Sequence, residues 1–460
     1  MGTDVSEETK PVSPTRTVLP VVMFNLLVYF VIGLPNAVIG ALFVGETLGY
    51  DTAMVGTTIT LQYLGTLSTR LVAGQLVDKH GPKPILKWGM FACTIAGLLM
   101  ILAALIAQFH GVIDPTTREH VLFGIAPDGH HTHGFWCQIA LGVAWLSRLF
   151  IGWAESWTAT SVTTWNMRRV GPKHTSVAIS WNGVTSYGGM TLGAMLGKAL
   201  ANMALGHGMV GLCPVGVLST LLAVGGLTAL ILPIPVYKAI PPLPRKGAPM
   251  SFFKALRKVF PFGTGLAAGS VGFGTIIGFL APYLDSNKWS SVYGWSMGAF
   301  AIIFIAVRMI WSDEIDRRGG MPVAVLSLLT EGLAALTFLV SAYMNLHGIA
   351  GAPYVVILGA ALMGAGFSLL FPSLGTMAVK TAGPEYSGIL LAAYSIFTDA
   401  TIFVTGPSLG SVKDIFGRLL GNQELGWICL FALGAFICFL GIVLMKVFLK
   451  LSGKESAPVI

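Results

Sequence analysis

The stretch RLVAGQLVDKHGPK, Arg70 to Lys83, decides how the rest of the chain is read. One hydrophobic run ends inside it and another begins directly after it. Between them stand Gly74, Asp78 and Gly81, with Lys79, His80 and Lys83. Fixed charge in a tight turn between two membrane-length runs describes a packed cytoplasmic hinge rather than a loose loop.

The composition carries the same message across the chain. Of 460 residues 54% are hydrophobic and only 10% charged, against about 25% charged in soluble domains. With a mean hydropathy of +0.76, most of the chain must have lipid as its solvent. The net charge of +8 sits in short loops beside hydrophobic runs, as orientation signals do. It does not point to nucleic acid. The five cysteines are scattered, without the spacing of a disulfide framework or a zinc site. The first apolar run is long enough to span and carries no small-residue cleavage site, so it reads as an uncleaved first helix.

A span needs about 20 apolar residues. Twelve candidates occur: 18–44, 53–77, 84–109, 135–160, 176–203, 210–234, 259–284, 293–312, 322–346, 352–377, 387–411 and 426–449. An inside N-terminus puts 20 of the 28 lysines and arginines on the inner side. Four lie outside (Arg118, Lys288, Lys413, Arg418) and four within spans (Arg70, Arg148, Lys198, Arg308). That bias places both tails, 1–17 and 450–460, in the cytoplasm. Residues 235–258, rich in proline and basic residues, read as a linker between two six-helix halves, 18–234 and 259–449. The linker's amphipathic end, with Phe252, Phe253, Leu256 and Val259 opposite Lys254, Arg257 and Lys258, suits an anionic inner leaflet or plain solvent.

An internal repeat supports the two halves. Arg70, Asp78 and Gly81 recur in spacing as Arg308, Asp316 and Gly319, at an offset of 238. Gly193 and Gly197 match Gly406 and Gly410 at an offset of 213. The outer loop 110–134 lies between the two motifs and has the length that reconciles the offsets.

The hinge resembles the signature loop between the second and third helices of the major facilitator superfamily. It matches at Gly74, Leu76, Asp78, Gly81 and Lys83 and departs at His80 and Pro82. Gly189, Gly193 and Gly197 resemble the glycine-rich motif of that family's drug and metabolite antiporters, with Ala194 at the usual proline. Gly406, Pro407 and Gly410 form the partner motif in the eleventh span. Glycines four apart also simply let helices approach closely. The runs Trp153–Thr160 and Ala178–Gly183 look like a bacterial branch of efflux-type carriers. The resemblance implies an all-α membrane protein of twelve helices in two pseudo-symmetric six-helix bundles. It also implies alternating access, a bacterial inner membrane, and drug or metabolite export against protons.

Charge inside a span costs about 2.5–3.5 kcal/mol, so each such residue calls for a role. Arg148 and Glu155 share one face of the fourth span, about 10 Å apart along the axis. Gly152 between them leaves room for a partner or water. Arg148 with Gly152 matches a family pattern implicated in proton coupling; the competing reading is a structural ion pair. In the eleventh span Tyr394, Thr398, Thr401 and Thr405 form a polar stripe beside Asp399, expected to line a cavity. A buried carboxylate can exchange protons, so Asp399 is the first proton-carrier candidate and Glu331, in the ninth span, the second. Asn25, Tyr29, Asn36 and Gln62 are suited to orienting a polar ligand or to interhelical hydrogen bonds. Lys198 is an anion contact or snorkels to the surface.

The outer loop 110–134 holds five of the nine histidines, in no metal-ligand spacing. No metal and no cofactor is expected. No phosphate-binding loop occurs, so an ion gradient supplies the energy. The expected partners are a small-molecule substrate, protons and the lipid bilayer. No nucleic acid is expected, and the chain reads as a monomer. Proton-coupled uptake by symport is the alternative to export. A metal-dependent membrane enzyme would need the histidine loop, and the paired hinges speak against a channel.

Overall fold

A computed structural model describes residues 13–109, 135–171, 175–238, 250–311, 314–379, 381 and 387–451. These residues form helices, with no strand among them. The first is α1 (Pro14–Ala37), which continues as a π-helix over Val38–Thr47. Then follow α2 (Thr52–His80), α3 (Pro82–Phe109), α4 (Phe135–Val170), α5 (Thr175–Gly206) and α6 (Leu212–Ile231). The second set is α7 (Phe252–Ser286), α8 (Tyr293–Trp311), the five-residue α9 (Glu314–Arg318), α10 (Gly320–Leu346), α11 (Ala352–Val379), α12 (Ser387–Leu419) and α13 (Gln423–Leu451). Since α9 only bridges a turn, α10 to α13 are the ninth to twelfth expected spans.

Ten of these helices are long and apolar enough to cross a membrane. The other two long ones, α2 and α5, are diluted by polar residues such as Thr58, Thr60, Gln62 and Thr66, or Asn182, Thr185 and Ser186. These side chains are mostly buried, so the polarity serves contacts between helices. The outer surface carries large apolar side chains instead, among them Trp88, Leu221, Ile302, Leu326 and Val443. That inversion suits a lipid solvent.

Several boundaries differ from the hydropathy reading. Helix α4 runs on to Val170, absorbing most of the expected inner loop 161–175. Helix α7 begins at Phe252, capped by Ser251, whose hydroxyl accepts from the Lys254 N–H at 3.3 Å. The amphipathic end of the expected linker is therefore the first turns of α7. Helix α12 extends to Leu419 and takes in Lys413, which the hydropathy reading left in an outer loop. Hydrogen-bonded backbone continues past the membrane-length core, and hydropathy cannot see that. Residues 239–249 of the linker, the histidine loop 110–134, and residues 1–12 and 452–460 of the tails lie outside the described residues; residues 14–17 and 450–451 of the tails belong to α1 and α13.

The two hinge glycines share one backbone conformation. Gly81 (φ 83°, ψ 164°) ends α2, and Gly319 (φ 81°, ψ 156°) starts α10. Both sit in a region that only glycine enters without strain. Gly74 and Lys83 lie in α2 and α3 on either side of Gly81. The side chains of Asp78 and Asp316 lie outside the described residues.

Within the first six helices α1 packs on α5, α2 on α4, and α3 on α4 and α6; among the rest α10 packs on α11 and α13, and α7 on α12. Gly189, Gly193 and Gly197 press α5 against the α1 backbone: a Cβ at Gly189 would stand 2.7 Å from the Leu26 carbonyl oxygen. Gly406 and Gly410 do a different job. They bring α12 against α2, the most extensive contact between the two sets.

Candidate functional site

Helix α2 carries a polar ridge that faces both ways. One side meets α4. There Gln62 Nε2 donates to Glu155 Oε2 at 3.1 Å, and Thr66 Oγ1 lies 3.3 Å from the same oxygen. From α1, the Tyr29 hydroxyl donates to Glu155 Oε1 at 3.2 Å. The other side meets α12. Arg70 Nε donates to Asp399 Oδ2 at 2.6 Å, and Nη2 to Oδ1 at 3.1 Å, a two-pronged ion pair. Its side chains are 14% and 3% exposed. Gln62, Thr66 and Arg70 follow one another four residues apart along α2, so Glu155 and the Arg70–Asp399 pair flank successive turns of that helix. Two carboxylates and one guanidinium thus share one buried cluster where the two sets of helices meet.

The cluster combines residues that the sequence assigned to separate roles. Arg70 belongs with the hinge by spacing, yet it sits in α2 and holds Asp399 across the interface. Tyr29 and Gln62, expected to orient a ligand, hold Glu155. Arg148 and Glu155 do not pair. Arg148 Nη2 donates instead to the Ile59 carbonyl at 2.6 Å and to Asn36 Oδ1 at 3.1 Å. Its Nε and Nη1 find no partner among the described residues. Gly152 leaves no room for water, because a Cβ there would collide with the Gln62 carbonyl of α2. The glycine is a helix crossing point.

Other expected site residues lie elsewhere. Asn25 Nδ2 donates to Ser186 (2.8 Å), Thr185 (3.1 Å) and the Asn182 carbonyl (3.1 Å), so it joins α1 to α5. Tyr394 does not line a cavity. It is fully buried in the core between α11 and α12, with its hydroxyl 3.2 Å from the Phe371 carbonyl. The stripe expectation fails there because residues 394 and 399, five apart, point in different directions around a helix. Thr398 is half-buried, and its hydroxyl lacks a partner among the described residues. Glu331 is fully buried in a cradle of Gly269, Gly272 and Gly366, and neither oxygen accepts a hydrogen bond among the described residues. Lys198 neither snorkels nor stays free: its Nζ pairs with Asp285 of α7 at 2.6 Å.

That lysine belongs to a group of ties at one end of the molecule. The Ala53 N–H donates to Asp414 at 2.9 Å, and Lys413 Nζ donates to Thr52 at 3.1 Å. Farther along the interface lies a feature the sequence pattern does not mark. Tyr187 of α5 packs among Phe304 of α8, Phe273 of α7 and Phe367 of α11, with ring centroids 4.4, 5.5 and 5.5 Å away. The only signal was its position one turn after Gly183.

The fold and buried cluster can now be set beside known proteins. The family model of the Major Facilitator Superfamily matches residues 21–406 and, in a second overlapping match, 271–459. An uncharacterized MFS-type transporter of Burkholderia mallei is 34% identical over 405 residues, covering 88% of this chain and 87% of its own length. The chain belongs to the major facilitator superfamily. This transporter is also 35% identical over 406 residues to an uncharacterized MFS-type transporter of Pseudomonas aeruginosa, covering 88% of each chain. Among solved structures, the transporter resembles a POT family transporter, with TM-score 0.69, 10% identity and coverage of 97% and 100%. It also resembles a D-xylose-proton symporter, with TM-score 0.67, 13% identity and coverage of 93% and 98%. At those identities the likeness shows the fold. The chain is therefore a multi-pass membrane transporter with the two-bundle architecture of its family.

Proposed function

We propose that this transporter exports a small organic solute across the bacterial inner membrane in exchange for protons, with both termini cytoplasmic. The two bundles, α1–α6 and α7–α13, rock against each other. The observation that carries the coupling reading is the meeting of Glu155, Arg70 and Asp399 between the bundles.

Charge compensation divides the labour between the two acids. Asp399 is neutralised by Arg70, and protonating it would strand a buried guanidinium. Glu155 accepts hydrogen bonds from neutral donors, Tyr29, Gln62 and Thr66, and forms no direct ion pair, so protonating it strands no bonded cation. Glu155 is therefore the proton carrier and the Arg70–Asp399 pair the element that opens and closes. Arg148 organises the neighbouring layer through Asn36. With the orientation set by the basic loops, the Ala53–Asp414, Lys413–Thr52 and Lys198–Asp285 ties lie on the outer side, so this conformation is the one closed to the outside. Gly189, Gly193 and Gly197 support export through their likeness to the antiporter motif.

Glu155→Gln tests the assignment. The amide keeps the hydrogen-bonding shape but cannot carry a proton. In reconstituted protein, gradient-driven flux should fall at least about tenfold, the scale of losing a positioned proton-transfer group. Counterflow without a gradient should persist. Full gradient-driven flux in Glu155→Gln would return the role to Asp399 or Glu331. Uptake by symport remains the alternative, and it reverses the sign: substrate would then enter with protons rather than against them.

A further inference from the structure

The two repeats place one arginine each at the interface, and among the described residues the second has no carboxylate partner like that of the first. Arg70 and Arg308 stand at the offset of 238, and Arg70 grips Asp399 with two nitrogens. The offset of 213 carries Asp399 back to Ser186, a neutral residue engaged with Asn25. Arg308 is only 6% exposed. Its Nη1 donates to the Ser368 carbonyl at 2.7 Å, and among the described residues no carboxylate pairs with it. Next to it on α5 is Gly183, where even a Cβ would come within 3.1 Å of Nη2. Glycine there lets the α5 backbone come directly against the guanidinium, with no side chain of α5 between them. A buried cation without a counter-charge is expensive unless one arrives. The guanidinium fork suits a two-oxygen anion.

The surroundings describe the rest of such a ligand. The guanidinium carbon lies 5.8 Å from the Phe304 ring centre. Phe304 packs against Tyr187 at 4.4 Å, and Phe273 stacks parallel on Phe367 at 4.7 Å. Aromatic faces from both bundles thus flank one positive charge, an environment for a flat apolar body ending in an anion.

We propose that Arg308 is the anion contact of the transported solute, and that this solute is a small organic carboxylate with a flat, apolar body. The proposal rests on the transport reading and adds the substrate class. When the bundles part at α5 and α8, the carboxylate engages Arg308 as Asp399 engages Arg70 between α12 and α2, so substrate completes the second seam.

The test uses purified full-length protein and four probes of matched shape: benzoate and phenylacetate as anions, benzamide as neutral, benzylamine as cation. The two carboxylates should raise the melting temperature, while benzamide and benzylamine should not. Arg308→Gln should weaken the carboxylate response at least about tenfold, as expected for loss of a charge-assisted fork, and Arg308→Lys should keep part of it. Gly183→Asp should abolish the response by supplying a built-in carboxylate, whereas Gly183→Asn, of equal bulk but neutral, should weaken it without abolishing it. That pair keeps the test decisive if Arg308→Gln folds poorly. No stabilisation by either carboxylate, or an Arg308→Gln or Gly183→Asp protein that responds like wild type, would overturn the proposal. Carboxylate stabilisation without proton-driven flux would overturn the coupling reading and leave this one standing. Proton-driven flux of a cation with no carboxylate response would do the reverse.

Discussion

Two seams join the bundles, and they are built in opposite ways. Along α2 and α12 the backbones touch: a Cβ at Gly56 would lie 2.6 Å from the Gly406 carbonyl. Thr60 Oγ1 lies 3.1 Å from the Phe403 carbonyl, and Arg70 and Asp399 close the pair. Along α5 and α8 the contact is made of side chains. Aromatic rings meet there, and Arg308 faces a glycine. The glycines of α5 that match those of α12 are spent on α1, inside their own bundle. One repeat unit has thus become a latch that needs nothing further, and the other, on the proposal above, a seam whose charge is completed by substrate. A carrier that rocks only when loaded needs such inequality. If both seams were self-satisfied, nothing would couple the motion to substrate.

The largest effect should come from breaking the latch. Removing one member of a buried, hydrogen-bonded ion pair leaves the other uncompensated and costs about 3–5 kcal/mol. Arg70 keeps some exposure (14%), so Arg70→Gln belongs at the lower end. The double variant Arg70→Gln/Asp399→Asn strands no charge and should recover most of the loss, measured as melting temperature in detergent. If the double variant is as unstable as the single, packing rather than charge holds the seam.

Next in size is the backbone contact. Gly406→Ala places a methyl group against the Gly56 carbonyl and Thr60, and neither helix can yield without parting from the other. Overpacking of this kind costs about 1–3 kcal/mol. The variant should melt lower and should also transport faster in counterflow if separating α2 from α12 limits turnover. An unchanged melting temperature would mean the latch depends on its charges alone.

The sequence made the fold legible because lipid leaves few choices: long apolar helices, basic inner loops and two glycine hinges of matching spacing. The candidate site was legible as a set of residues but not as a set of partners. Arg148 and Glu155 share a helix face, so spacing suggested a pair. Helix α2 instead inserts its backbone at Gly152 and offers Gln62 and Thr66 to the glutamate. Arg70 and Asp399 are 329 residues apart, and no periodicity within a helix can announce a contact between helices of different bundles. Intrahelical spacing tells which side chains share a face. It does not tell which neighbour that face meets, and Tyr394, buried against α11, is the plainest instance.

The smallest stability effect should come from the second seam, at Gly183→Ala. Alanine in place of a helical glycine gains about 0.5–1 kcal/mol in backbone entropy. Against this, the new Cβ would stand 3.1 Å from Arg308 Nη2 and 3.3 Å from its Cζ. Those atoms end a flexible side chain, which can move by a few tenths of an ångström at little cost. The two terms nearly offset, so the melting temperature should hardly move, in contrast to Gly406→Ala at the latch. The guanidinium, though, is displaced from the edge it offers to α5, and a two-oxygen contact depends on orientation. Carboxylate affinity should therefore weaken a few-fold while stability and the Arg70–Asp399 pair stay intact. Measuring both quantities on the same preparation separates the seams. A methyl group that lowers stability as much at Gly183 as at Gly406 would show that α5 and α8 form a second self-sufficient latch, and the inequality between the seams would be lost.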